Sequence, residues 1–222
     1  MGQLIYLNER RTDRSGSHAV TLPVFFFDVS CPFSYLTAER IERKLGEVEW
    51  VPVDGTSLRA AAPERAGDHG HRDPQLTWMR TRADSCARAL RLPLVWPDRF
   101  PGAARCAQRA STFACEIGAG AAFALAASRL AFCGGFDLDD PETLAEAAAA
   151  ARVPLEECLS AAGETWRDEE LEANSELLRS RGISELPAIR IGDQWFEGEA
   201  GLLAAGALIT GPAPAQRLIA PV

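Results

Sequence analysis

After a polar, breaker-rich start, the first apolar block is Val24–Val29, short and rich in Phe and Val. That is the pattern of a strand buried on both faces. From Phe33 to Leu45 the apolar positions Leu36, Ala38, Ile41 and Leu45 keep rough helical spacing, and Gly46 supplies a stop. Val48–Val53, with β-branched residues and Trp50, reads as a second strand. Strand, tight turn, helix and strand make a β-α-β unit, which implies a parallel pair with a right-handed crossover. Helical spacing then dominates from about Ser57 to Arg181, with helices predicted over Pro74–Leu92, Ala103–Cys133, Pro141–Arg152, Pro154–Ala162 and Asp168–Arg181. Asp140 before Pro141 is an N-cap followed by proline at the first helical position, and Gly182 stops the last of these helices. Strand character returns at Pro187–Ile191 and Gln194–Glu197 around a Gly192-Asp193 turn, and a final helix is predicted over Ala200–Leu208. The order is β-α-β, helices, β-β-α: an α/β fold with a large all-helical insertion. Residues 22–56 and 182–208 form one unit, 57–181 the inserted subdomain, 1–21 a loosely attached arm and 209–222 a tail.

Composition narrows the function classes. With 47% hydrophobic and 24% charged residues over 222 positions, the chain can bury a sizeable core and reads as a globular protein. A net charge of -8, with no segment that interleaves Lys or Arg with aromatics, argues against a nucleic-acid partner. The arginines over 72–109 read as a solvated helical face. Charged residues from Glu9 to Arg14 interrupt any export signal, and the apolar stretch Ala119–Phe132 is too short and too polar to span a bilayer. No membrane partner is expected, and the expected compartment is the cytoplasm, with the six cysteines reduced. No C-x-x-C occurs and His18, His69 and His71 are the only histidines, so no metal site is expected.

The chemistry-bearing segment is Ser30-Cys31-Pro32-Phe33-Ser34, between the first strand and the first helix. A cysteine there faces the unpaired N–H groups of the first helical turn, whose partial positive charge favours thiolate over thiol. Pro32 suits the first helical position. A nucleophilic, partly exposed sulfur is the expectation. From position alone, Cys31 fits equally well as a small core residue that ends a strand. Ser34, one turn on, is either an ordinary hydroxyl bonding the backbone or a donor to the sulfur.

The run from Phe27 to Leu36, Phe-Asp-Val-Ser-Cys-Pro-Phe-Ser-Tyr-Leu, together with Gly182-Ile183-Ser184-Glu185-Leu186-Pro187, resembles the DsbA-like thioredoxin superfamily. It looks closest to the branch of 2-hydroxychromene-2-carboxylate isomerases and kappa-class glutathione transferases. The resemblance implies a thioredoxin-like fold over roughly Val24–Leu202, with Leu186-Pro187 as a cis peptide that abuts Cys31 and, with Pro32 and Phe33, holds the partner thiol. Two departures stand out. Ser34 replaces the second cysteine of DsbA-type oxidases, so no disulfide can close within the motif and transfer stops at a mixed disulfide unless an outside thiol or another cysteine resolves it. Gly198-Glu199-Ala200-Gly201-Leu202 lacks the Asp and Arg with which the isomerase branch engages glutathione.

The leading function implied is a single-thiol thiol–disulfide oxidoreductase, with Cys31 as nucleophile and Ser34 as donor, acting on a small thiol or disulfide or on a protein disulfide. A thiol-dependent isomerase or transferase is the second, with Trp78, Met79, Trp96 and Phe100 as pocket lining. A non-catalytic binding module on the same scaffold is the third. No permanently bound cofactor is expected beyond glutathione or another low-molecular-weight thiol, and a homodimer is in keeping with the resemblance. Cys86, Cys106, Cys115 and Cys133 fall in the insertion helices and read as packing, with resolution of Cys31 as their alternative role.

Overall fold

A computed structural model describes residues 22–60, 74–102 and 104–210. The order is β1 (Val24–Phe27), α1 (Pro32–Ala38), α2 (Ile41–Leu45), β2 (Glu49–Pro52), α3 (Gly55–Ala60), α4 (Pro74–Leu90), α5 (Arg105–Glu116), α6 (Gly120–Gly134), α7 (Pro141–Ala151), α8 (Leu155–Gly163), α9 (Arg167–Ser180), β3 (Ala188–Ile191), β4 (Gln194–Glu197) and α10 (Gly198–Thr210). The four strands form one sheet in the order β2-β1-β3-β4. β1 runs parallel to β2, with Phe25 opposite Trp50, and antiparallel to β3, with Phe25 opposite Ile189. β3 and β4 close an antiparallel hairpin.

Every residue of β1 is buried, and strand periodicity divides them between two cores. Phe25 and Phe27 join Trp50, Ile189 and the alanine-rich faces of α5, α6 and α7. Val24 and Phe26 point the other way, into a smaller cluster with Val53, Leu58, Leu178, Ala188, Cys31 and Phe33. The helical insertion therefore has no separate core; Ala107, Ala110 and Ala114 of α5 pack in the same cluster as the sheet's Phe25 and Trp50. Each buried Phe contributes about 1.5–3 kcal/mol through the apolar surface it removes from water.

Several boundaries differ from the sequence reading. The apolar block Val24–Val29 yields a strand only to Phe27, because Asp28 turns the chain and is itself buried. The helix expected over Phe33–Leu45 breaks at Glu39 and Arg40 into α1 and α2. The single helix expected over Ala103–Cys133 is two. Gly118 takes φ +79°, a left-handed conformation that suits glycine, and turns the chain between α5 and α6. Residues 1–21, 61–73 (with His69 and His71), 103 and 211–222 lie outside the described residues. Among the described residues no helix is long and apolar enough to cross a membrane.

Candidate active site

Cys31 is the N-cap of α1, in extended conformation, with Pro32 at the first helical position. Its N–H donates to the Asp28 carbonyl at 3.0 Å, which draws the strand-to-helix connection into a tight turn. The thiol donates to the Leu186 carbonyl at 3.9 Å, across 155 residues of sequence. The Leu186–Pro187 peptide is cis, as is Phe100–Pro101. Pro32, Phe33, Leu186 and Pro187 are all buried here, so the two motifs are brought together around one sulfur.

The sulfur is not partly exposed. Cys31 is 4% accessible and packs in a cluster with Phe33, Leu58, Ala83 and Leu186. Part of its cover comes from α4 of the insertion, through Ala83 with Met79 and Cys86, and part from Leu58, Leu178, Ile183 and Leu186. The Arg82 guanidinium sits 5.0 Å from the Phe33 ring and 5.2 Å from the exposed Trp78, and pairs with Glu185 at 3.2 Å. The arginines of 72–109 are thus mixed: Arg88, Arg91 and Arg99 are exposed, as a solvated face requires, but four others pack or pair. Arg80 lies over Trp96 and Phe100 and donates to the Phe100 carbonyl, Arg105 pairs with the buried Asp54, and Arg109 pairs with Asp168.

Ser34 is buried, and its Oγ accepts from the Asp28 N–H at 3.3 Å. This is the backbone-bonding role; the hydroxyl keeps its own proton for donation. Asp28, which the sequence reading passed over, organises the turn. Its Oδ1 accepts from the Ser30 N–H at 2.8 Å and the Ser30 hydroxyl at 2.7 Å. Its Oδ2 accepts from the Gly55 N–H and from Gln108 Nε2, both at 3.0 Å. A carboxylate with four donors and 1% accessibility ties the Cys31 turn to α3 and α5 at once. An acidic residue inside an otherwise apolar block was the available signal.

The four residues expected to line a pocket separate. Trp78 is on the surface, Met79 and Trp96 are half-buried against the Cys31 cluster, and Phe100 stacks on Trp96 with 4.7 Å between ring centres. Phe100, but none of the other three, lines a shallow depression with a cavity volume of only about 30 Å³ that also takes in Ser30, Phe132, Phe136 and Leu138.

Among the other cysteines, Cys86 is half-buried against the Cys31 cluster, and burial pushes its thiol pKa up. Burial raises Cys115 to about 12 and Cys158 to about 11, and also raises Cys106. Cys133 is not packing but exposed, 3.2 Å from the Tyr35 hydroxyl. All six are free thiols. Among the described residues no group of three or more His, Cys, Asp or Glu side chains is placed to hold a metal.

The family model of the DSBA-like thioredoxin domain matches residues 24–205. The chain belongs to that family. Solved structures agree on the fold of this DSBA-like domain. A 2-hydroxychromene-2-carboxylate isomerase superposes with a TM-score of 0.72 at 16% identity, covering 85% of this chain and 94% of that one. A Streptomyces coelicolor protein assigned as a DsbA oxidoreductase gives 0.65 at 18% identity, covering 87% and 92%. A Nitrosomonas europaea protein assigned as a protein disulfide isomerase gives 0.58 at 15% identity, covering 86% and 100%. No curated protein matches the sequence significantly.

Proposed function

We propose that this DSBA-like domain is a thiol–disulfide oxidoreductase that works through the single thiol of Cys31. The supporting observation is the placement of that sulfur at the N-cap of α1, against the carbonyl that precedes Pro187. In the proposed step the Cys31 thiolate attacks one sulfur of a disulfide, forms a mixed disulfide and releases the other half as thiolate. Ser34, which fills the place of a second cysteine, donates its remaining proton to the sulfur. An outside thiol such as glutathione then completes the cycle in a reducing cytoplasm.

A second reading, a thiol-dependent isomerase or transferase, draws on the shallow depression beside Ser30 with Phe100, Phe132 and Phe136 on its walls, which would have to widen to admit an aromatic substrate. Timed alkylation of the reduced protein at pH 6, with each cysteine followed by peptide mass spectrometry, tests the thiol reading common to both. Exposed Cys133 is the internal standard. Cys31 should alkylate faster than Cys133, because a helix N-terminus favours the thiolate. Alkylation of Cys31 only after unfolding would mark it as a core cysteine and leave a non-catalytic binding module.

A further inference from the structure

Cys31 is covered, and Arg82, with its side chain one-third exposed, lies at the rim of the cluster that covers it. Two independent contacts fix its place. Its guanidinium stacks 5.0 Å from Phe33, two residues after the nucleophile. It also pairs with Glu185, the residue before the carbonyl that receives the Cys31 thiol. Arg82 therefore bridges the two motifs that flank the sulfur.

The Arg82–Glu185 pair differs from the other ion pair nearby. Arg40 and Glu199 have side chains only 12% and 16% exposed. Arg82 and Glu185 are 33% and 50% exposed and meet through one N–O contact, from NH1 at 3.2 Å. A guanidinium presents a fork matched to both oxygens of a carboxylate, and a one-point contact leaves much of that capacity unused. Half-exposed Glu185 can return to water at little cost, whereas Arg82 is held over Phe33 and Trp78 by their ring faces.

We propose that Arg82 is a specificity-determining residue that selects thiols and disulfides carrying a carboxylate, with Glu185 holding the guanidinium until the substrate's carboxylate takes its place. The inference rests on the oxidoreductase reading of Cys31 and names its substrate class. The covalent step is balanced: the Cys31 thiolate attacks a disulfide with carboxylate-bearing halves, the disulfide bond breaks, one half stays on Cys31 and the other leaves as thiolate. The departing Glu185 opens the rim as the anion enters.

The test uses the full chain and three aliphatic disulfides of similar size: 3,3'-dithiodipropionate (anionic), bis(2-hydroxyethyl) disulfide (neutral) and cystamine (cationic). The rate of mixed-disulfide formation on Cys31 is read by peptide mass. The anionic reagent should react fastest despite the net charge of -8. Arg82→Gln should lower its rate about tenfold while changing the neutral rate less than twofold, a factor in keeping with one charged hydrogen-bonded contact. Arg82→Lys should restore part of the preference, and Glu185→Gln, which removes the competitor, should raise the anionic rate. Equal changes for all three reagents in Arg82→Gln and Glu185→Gln would make the pair a plain strap and overturn the inference alone. Failure of every reagent to add at Cys31 would overturn the oxidoreductase reading and this inference with it.

Discussion

Replacing Asp28 by Ala removes the acceptor of four hydrogen bonds, and the magnitude follows from where the donors lie. The Gly55 N–H and Gln108 Nε2 contacts are buried, so both donors are stranded away from water. The Ser30 donors are only part-buried and rehydrate. At about 1–3 kcal/mol for each stranded donor, Asp28→Ala should cost about 2–6 kcal/mol, a large share of the roughly 5–15 kcal/mol that holds a domain folded. Asp28→Asn should cost less, at most about 1 kcal/mol: its carbonyl can serve the buried Gly55 and Gln108 donors, its amide can donate to the Ser30 hydroxyl, and the part-buried Ser30 N–H turns to water. Guanidinium unfolding at pH 7, followed by tryptophan fluorescence, measures both. Gln108→Leu alone should cost less than Asp28→Ala, and the double variant should fall short of the sum of the singles by about 1–3 kcal/mol, because the two side chains share one contact. A loss below 1 kcal/mol for Asp28→Ala, or strict additivity with Gln108→Leu, would refute the claim that this carboxylate holds the turn.

Asp168 receives two hydrogen bonds from Arg109, at 2.8 and 2.7 Å, and these hold its carboxyl below the usual aspartate range. A depressed pKa gives stability that is present above the unfolded value, about 3.9, and lost as pH falls through the folded one. Asp168→Asn should therefore trail the parent at pH 7 and draw level with it as the pH drops below about 4, read from thermal midpoints across pH. Gly118→Ala, at φ +79° with open space around its Cβ, should destabilise through backbone strain alone, by about 1 kcal/mol in chemical denaturation. Ala107→Leu, on the fully buried face of α5, should cost about 1–3 kcal/mol through overpacking in the same assay, and an unchanged midpoint would contradict the packing described.

The elements of the sheet were legible because β1, β3 and β4 carry strong apolar or turn signals, and the Cys31 turn because proline and a helical repeat follow it at once. The break at Gly118 was not, since isolated glycines such as Gly118 and Gly120 in an apolar, alanine-rich stretch are tolerated within a helix and only the left-handed backbone of Gly118 reveals the turn. Asp28 reads locally as a turn residue; its partner Gln108 lies 80 positions away. Gln108 itself shows how a site residue hides, a lone amide among the small buried residues Ala107, Ala110, Ser111, Thr112 and Ala114 of α5. Arg82 was unreadable for a similar reason, because its partners Phe33 and Glu185 come from opposite ends of the chain. The burial of Cys31 depends on the same long-range packing, which no local pattern encodes.

The thiol and the carbonyl that receives it are 155 residues apart, with the whole helical insertion between them. At about 5–20 residues per second, a ribosome needs roughly 8–30 s to travel that distance. For that interval the growing polypeptide has no Leu186 to meet Cys31 and no β3 to pair with β1. Of the residues that bury Cys31 in the folded protein, Phe33, Leu58 and Ala83 are made early, whereas Leu178, Ile183 and Leu186 come late. Its cover is therefore complete only when the last fifth of the protein emerges.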